Sequence, residues 1–137
     1  MAMLAISCSA RPADVHRQRA RAVLPDVPFA LLDHEQRVQF MKERVVPVMK
    51  PLFQQHDAHE FADFGCKTCH SEDGRFDMPN SELPVLDFSD MAKHEARDVE
   101  WMKTIIQPAM AGLLHVPLRS EDRPDGFGCA RCHPIGS

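Results

Sequence analysis

Apolar positions return at helical intervals in two stretches of the chain, and the segments between them read as turns. In the first stretch Met41, Val45, Val48, Met49 and Leu52 recur three or four residues apart, the period of one face of an amphipathic helix. Asp33-x-x-Gln36 just upstream is a capping-box pattern, so a helix is predicted from there to about Val46. Pro47 kinks or restarts it, and the apolar pattern runs on to Phe53. Residues 54–63, with His56, Asp57, His59 and Glu60, read as a polar turn, and residues 73–88 as a loop punctuated by Asp73-Gly74, Pro79-Asn80 and Leu83-Pro84. Ser89 or Asp90 suits the cap of a second helix reaching about Gln107. Pro108 breaks it, and the pattern resumes to Leu114, ahead of a charged loop over residues 116–126.

The second stretch repeats the first. Val38-Gln39-Phe40-Met41-Lys42 matches Val99-Glu100-Trp101-Met102-Lys103, and at the same offset Val45 meets Ile106, Pro47 meets Pro108, Met49 meets Met110 and Leu52 meets Leu113. After a two-residue insertion the match resumes at Phe64-Gly65-Cys66-Lys67-Thr68-Cys69-His70 and Phe127-Gly128-Cys129-Ala130-Arg131-Cys132-His133. Each unit is thus a kinked helix bearing methionine, a loop, and a C-x-x-C-H pentad that opens a short helix.

A C-x-x-C-H pentad is the attachment pattern of a c-type haem: two thiols bond the porphyrin and the imidazole that follows ligates the iron. The spacing therefore implies two covalently attached haem c groups, bound through Cys66, Cys69, Cys129 and Cys132, with His70 and His133 as iron ligands. The competing readings fit less well. A zinc ribbon sets its C-x-x-C pairs about 15–20 residues apart, whereas Cys69 and Cys129 are separated by 59 residues. A thioredoxin-like C-x-x-C needs a βαβ setting, which the pattern lacks. The fold expected is all-α: two pseudo-twofold-related haem modules over 33–88 and 89–137, preceded by an N-terminal tether over 1–32.

The sixth ligand of the second haem is expected upstream, unless another chain supplies it, because only four residues follow His133, and if the units are alike the first haem takes its ligand upstream too. Met49 lies 17 residues before Cys66 and Met110 lies 19 before Cys129, which makes this repeat-matched pair the first candidate. Met41 with Met102 is the second. His56, His59, His94 and His115 are available but have no partner in the repeat. Met78, downstream of the first pentad, is disfavoured by the same symmetry. A methionine stripe at helical spacing is also what an ordinary core contains.

Composition adds limits. The chain has one Trp and no Tyr, so porphyrin would supply much of the core. Net charge is +3 over residues 1–50, −8 over 51–100 and +1 over 101–137. The acidic middle can steer a basic redox partner or be a solvated face. No basic stripe interleaved with aromatics suggests nucleic-acid binding, and no apolar run of about 20 residues spans a membrane. Haem attachment to such pentads takes place outside the cytoplasmic membrane, which implies the periplasmic side of a bacterial membrane. Leu4-Ala5-Ile6-Ser7-Cys8 is similar to the tail of a lipoprotein signal, so Cys8 is either a lipid-anchor cysteine or a free thiol. Residues 9–32, with Arg17-Gln18-Arg19-Ala20-Arg21 and a short helix expected at 14–23, form either an arm suited to an anionic lipid surface or a solvated tether.

Over residues 38–133 the chain resembles small dihaem c-type cytochromes of the exported or lipoprotein type. Phe40-Met41, Val46-Pro47-Val48-Met49, the two pentads with their Phe-Gly, and Met78-Pro79-Asn80-Ser81-Glu82-Leu83-Pro84 carry the likeness. The order of helix methionine and then pentad is also similar to the haem units of the photosynthetic reaction-centre multihaem cytochrome subunit, which has four units rather than two. That resemblance implies ligation by Met49 and Met110. It also implies transfer of single electrons between redox partner proteins, as a periplasmic or membrane-tethered carrier or as a subunit of a respiratory or photosynthetic complex, and not an enzyme. The alternative is a dihaem enzyme of peroxidase type, or a ligand sensor, with an open iron position and His56, Asp57, His59 and Glu60 as acid–base groups.

Overall fold

The chain folds around two long helices laid side by side, α1 over residues 34–56 and α3 over residues 96–114, with a single-turn helix α2 (Cys66–Cys69) between them. The computed structural model describes residues 24–136. Cys8 and the short helix expected at 14–23 lie outside the described residues. Among those described the chain is helical, and its only β pairing is two isolated bridges, Leu86 with Ile135 and Leu118 with Phe127.

The capping box forms as expected. The Gln36 N–H donates to Asp33 Oδ1 at 2.9 Å, and the Asp33 N–H donates to Gln36 Oε1 at 3.0 Å, satisfying two donors that helix geometry leaves without partners. Just upstream, Phe29–Leu31 forms a 3-10 turn that packs onto this end of α1, with the rings of Phe29 and Phe40 5.3 Å apart and Leu32 buried. The last residues of the expected tether therefore belong to the packed body.

Pro47 does not divide α1. The helix absorbs it by widening one turn, Met41–Val45, into a π turn in which the Val46 N–H bonds to the Met41 carbonyl. A proline ring clashes with the carbonyl four residues back, and an extra residue in the turn relieves the clash. Pro108 is accommodated in the same way. Met102–Ile106 is a π turn closed by the Gln107 N–H on the Met102 carbonyl. The sequence repeat is thus a structural repeat, down to a widened turn before each proline.

The two helices share one core. Val45, Met49 and Phe53, four residues apart on α1, are buried with Ile106 of α3 and with Phe64. The π turn of each helix packs against the last segment of the other, Gln107–Leu114 in one case and Val46–His56 in the other. Val48, expected on the core stripe, is exposed. It lies about 100° around the helix from Met49, and Phe53 takes its place. The Phe53 ring touches Phe61, Phe64 and Trp101 at centroid distances of 4.8–4.9 Å.

α3 begins at Ala96, not at Ser89 or Asp90. Asp87 organises a tight turn instead, accepting from the Ser89 N–H at 2.9 Å and pairing with Lys93, and only the 3-10 turn Met91–Lys93 follows. At the other end α1 runs to His56, so the polar turn starts at Asp57. Asp57 Oδ1 accepts the N–H groups of His59 and Glu60, each at 2.9 Å.

Candidate functional site

Phe64 and Phe127, one residue before each Gly-Cys, are both buried and fix where the pentads begin. Phe64 sits on Phe53 in the helix–helix core. Phe127 is held by its backbone: its N–H donates to the Pro117 carbonyl at 2.8 Å, and its carbonyl accepts from the Arg119 N–H at 2.9 Å. That pairing brings the Leu118 backbone against Gly126 so closely that a Cβ there would meet it at 2.5 Å, so the position admits only glycine.

From these anchors both pentads fold into a single turn with matching hydrogen bonds, α-helical over Cys66–Cys69 but only a 3-10 turn over Cys129–Arg131, in place of the expected short helix. The Thr68 N–H bonds to the Gly65 carbonyl and the Arg131 N–H to the Gly128 carbonyl, each at 3.0 Å. The His70 N–H bonds to the Cys66 carbonyl and the His133 N–H to the Cys129 carbonyl, each at 2.9 Å. Thr68 Oγ1 also accepts the Gly65 N–H at 3.0 Å, a cap that Arg131 cannot supply in the second turn. Each turn therefore presents two thiols and then an imidazole, tied by the same pair of backbone hydrogen bonds.

The four pentad thiols are free. Burial pushes the Cys69 thiol up to about 12, with Cys132 and then Cys66 adding to the shift. Burial and then Cys129 push Cys132 up to about 11. Thiols of this kind stay protonated at neutral pH, the reverse of an oxidoreductase C-x-x-C, whose activated cysteine has a lowered pKa. Among the described residues no three His, Cys, Asp or Glu side chains converge as ligands of a bare metal ion would.

The imidazoles have different surroundings. His133 Nδ1 lies 3.0 Å from the Pro84 carbonyl. A carbonyl only accepts, so this contact places the ring proton on Nδ1 and leaves the Nε2 lone pair free to ligate a metal. His70 Nδ1 is buried without a hydrogen-bond partner. Burial lowers the His70 pKa, the Phe76 carbonyl acts in the opposite direction, and the Phe76 ring stands edge-on at 5.5 Å.

Met49 is 2% exposed and packs with Val45, Phe53, Phe64 and Ile106, whereas Met110, Met41 and Met102 are partly buried against the same cluster. Phe64 links the Met49 face to the first pentad. Gln107, one turn before Met110, reaches the second pentad, its Nε2 lying 2.9 Å from Cys129 Sγ. Of the polar residues at the first turn, His56 and Asp57 are engaged elsewhere. His56 stacks on Trp101 at 3.9 Å and bonds Asp98 through Nε2 at 2.7 Å, while its carbonyl accepts from Arg97 at 2.6 Å. His115 caps α3 in a left-handed conformation, and His94 ends a 3-10 turn.

Sequence reasoning did not single out Asn80, the one buried polar residue among those described, at 2% exposure. Its Nδ2 donates to the Cys69 carbonyl at 3.1 Å and its backbone N–H to the Cys132 carbonyl at 2.9 Å. In the sequence it is half of a Pro-Asn turn signal, and nothing local announces partners in both pentads.

Compared with protein-family models, with curated proteins and with solved structures, the chain matches none.

Proposed function

We propose that the chain is a dihaem c-type cytochrome that passes single electrons between redox partners and performs no reaction of its own. The observation that carries this reading is the duplicated turn: twice, a pair of free thiols precedes an imidazole whose residue's backbone N–H bonds back to the carbonyl of the first cysteine, and His133 has Nε2 available as a ligand. Cys66 and Cys69 with His70, and Cys129 and Cys132 with His133, would hold the two groups. Bound there, each haem supplies an iron that takes up and gives back one electron. The protein's part is to orient the imidazoles, keep water away and complete the iron coordination. Met49 and Met110 are the ligands proposed for that last task, since their helix faces reach the pentads through Phe64 and Gln107.

The surface around the pentads supports the reading. Phe76, Met78, Val85, Leu118 and Ile135 are apolar and exposed. They flank the two turns, Phe76 on His70 and Ile135 beside Leu86. Porphyrin faces are the kind of apolar surface that would cover such side chains. Two of the four acid–base groups that a peroxidase could use are committed to the scaffold: His56 to Asp98 and Trp101, Asp57 to the turn after α1. No helix among the described residues is long and apolar enough to cross a membrane. A place on the periplasmic side, free or tethered through Cys8, belongs to the same proposal.

The test is expression in a strain that attaches haem c, followed by haem stoichiometry and absorption spectra in both oxidation states. Two covalent haems per chain and the weak far-red ferric band of iron–methionine bonding are expected. Met49→Ala and Met110→Ala each remove part of that band while both haems stay attached. Absence of covalent haem overturns the proposal. Covalent haem that lacks the band, and binds carbon monoxide when reduced, replaces it with an open-iron enzyme or sensor.

A further inference from the structure

We infer that Asn80 is a positioning residue that locks the two pentad turns to each other, holding two cofactors bonded there at one short, fixed separation so that electrons pass directly between them. The inference rests on the dihaem reading and says what that reading leaves open, whether the two centres act separately or as a pair.

Asn80 uses every hydrogen-bonding group it has. Nδ2 donates to the Cys69 carbonyl at 3.1 Å, the backbone N–H donates to the Cys132 carbonyl at 2.9 Å, Oδ1 accepts the Glu82 N–H at 2.9 Å, and the Asn80 carbonyl accepts the Leu83 N–H at 3.2 Å. The bonds to Glu82 and Leu83 make a local turn, which an exposed asparagine forms as well. The other two join distant pieces of chain, and a buried amide that loses such a partner is left unsatisfied at real cost. Because one residue holds both, the carbonyls of Cys69 and Cys132 lie within roughly 10 Å of each other.

The two cysteines are the second thiol of their respective pentads, so the turns meet through equivalent positions. Asn80 also begins a strap. Pro84 accepts from His133 Nδ1, the Leu86 N–H donates to the Pro134 carbonyl at 2.9 Å, and the Gly136 N–H donates to the Leu86 carbonyl at 2.9 Å. The segment after the first pentad is therefore the wall of the second.

The experiment compares the holoprotein with Asn80→Ala, Asn80→Asp and, as a control for destabilisation away from the clamp, Phe61→Ala. Covalent haem is counted first. A protein without it fails the dihaem reading, and that outcome is distinct from failure of this inference. Circular dichroism in the Soret region then reads the coupling of the paired porphyrins, and pulsed electron paramagnetic resonance reads their separation. Wild type is expected to show a two-signed couplet and one narrow distance. Asn80→Ala keeps two haems, but its couplet falls to half or less and its distance broadens. Asn80→Asp, which loses only the donor to Cys69, moves the same way, and it decides the matter if the alanine variant does not fold. Phe61→Ala melts earlier with the couplet unchanged. The inference is overturned by a wild-type protein with no couplet or a broad distance, or by an Asn80 variant that carries both haems and retains the full couplet.

Discussion

Cys69 and Asp73 lie four residues apart and are driven in opposite directions by their surroundings. Burial pushes the thiol up to about 12. The carboxylate sits in solvent and is pulled down to about 2, first by the Ser71 hydroxyl at 2.7 Å, then by the Arg75 N–H at 3.0 Å and the Arg75 guanidinium. A carboxylate with a depressed folded pKa contributes stability that is present above its unfolded value and lost as pH falls through the folded one. The Asp73 contribution is thus complete above about pH 4 and disappears towards pH 2. Thermal melts over that interval should show Asp73→Asn losing less stability on acidification than wild type does, because the variant no longer has this proton to take up. At neutral pH the two should differ by the hydrogen bonds of the loop that carries Ser71 and Arg75 and by the lost ion pair with Arg75.

At the scale of elements, the helix pair depends on Phe53, which is 4% exposed and sits among Phe61, Phe64 and Trp101. Phe53→Ala should cost about 3–5 kcal/mol, read as a shift in denaturant midpoint. It should loosen the first pentad more than the second, since Phe64 loses its seat while Phe127 keeps its backbone bonds. Much of this level was legible in the sequence: the capping box at Asp33, the two prolines in matching places, the paired Val45 and Ile106, and the Phe-Gly before each pentad. The π turns were not, because a proline in a helical pattern does not say whether the helix breaks or widens. The start of α3 was misplaced, because Asp87 draws the chain into a turn that competes with a cap at Ser89 or Asp90. Asn80 was missed for a different reason, since its two key partners are distant in sequence and only the tertiary fold brings them to one side chain.

At the scale of the whole molecule, two repeats do not make two domains. The core joins Val45, Met49 and Phe53 to Ile106, His56 bonds Asp98 across the helix pair, and the strap from Asn80 to Leu86 holds the second pentad. A chain cut between residues 88 and 89 should therefore give two pieces that lack a cooperative melt on their own. Mixing them should restore helical circular dichroism at 222 nm if the reciprocal packing drives assembly. A piece that melts cooperatively alone would show that one repeat suffices for a core.

The bond from Asn80 to Cys132 also bears on the order of events during biogenesis. It joins positions 52 apart in the sequence, and such a contact waits for the chain between its ends to be in place, with loop entropy opposing it. Until residues 132–136 arrive, the strap has nothing to fasten, and Asn80 can hold only the first pentad. On the proposed reading, a haem bonded to the first pentad before that point would sit on a chain not yet tied to its second half.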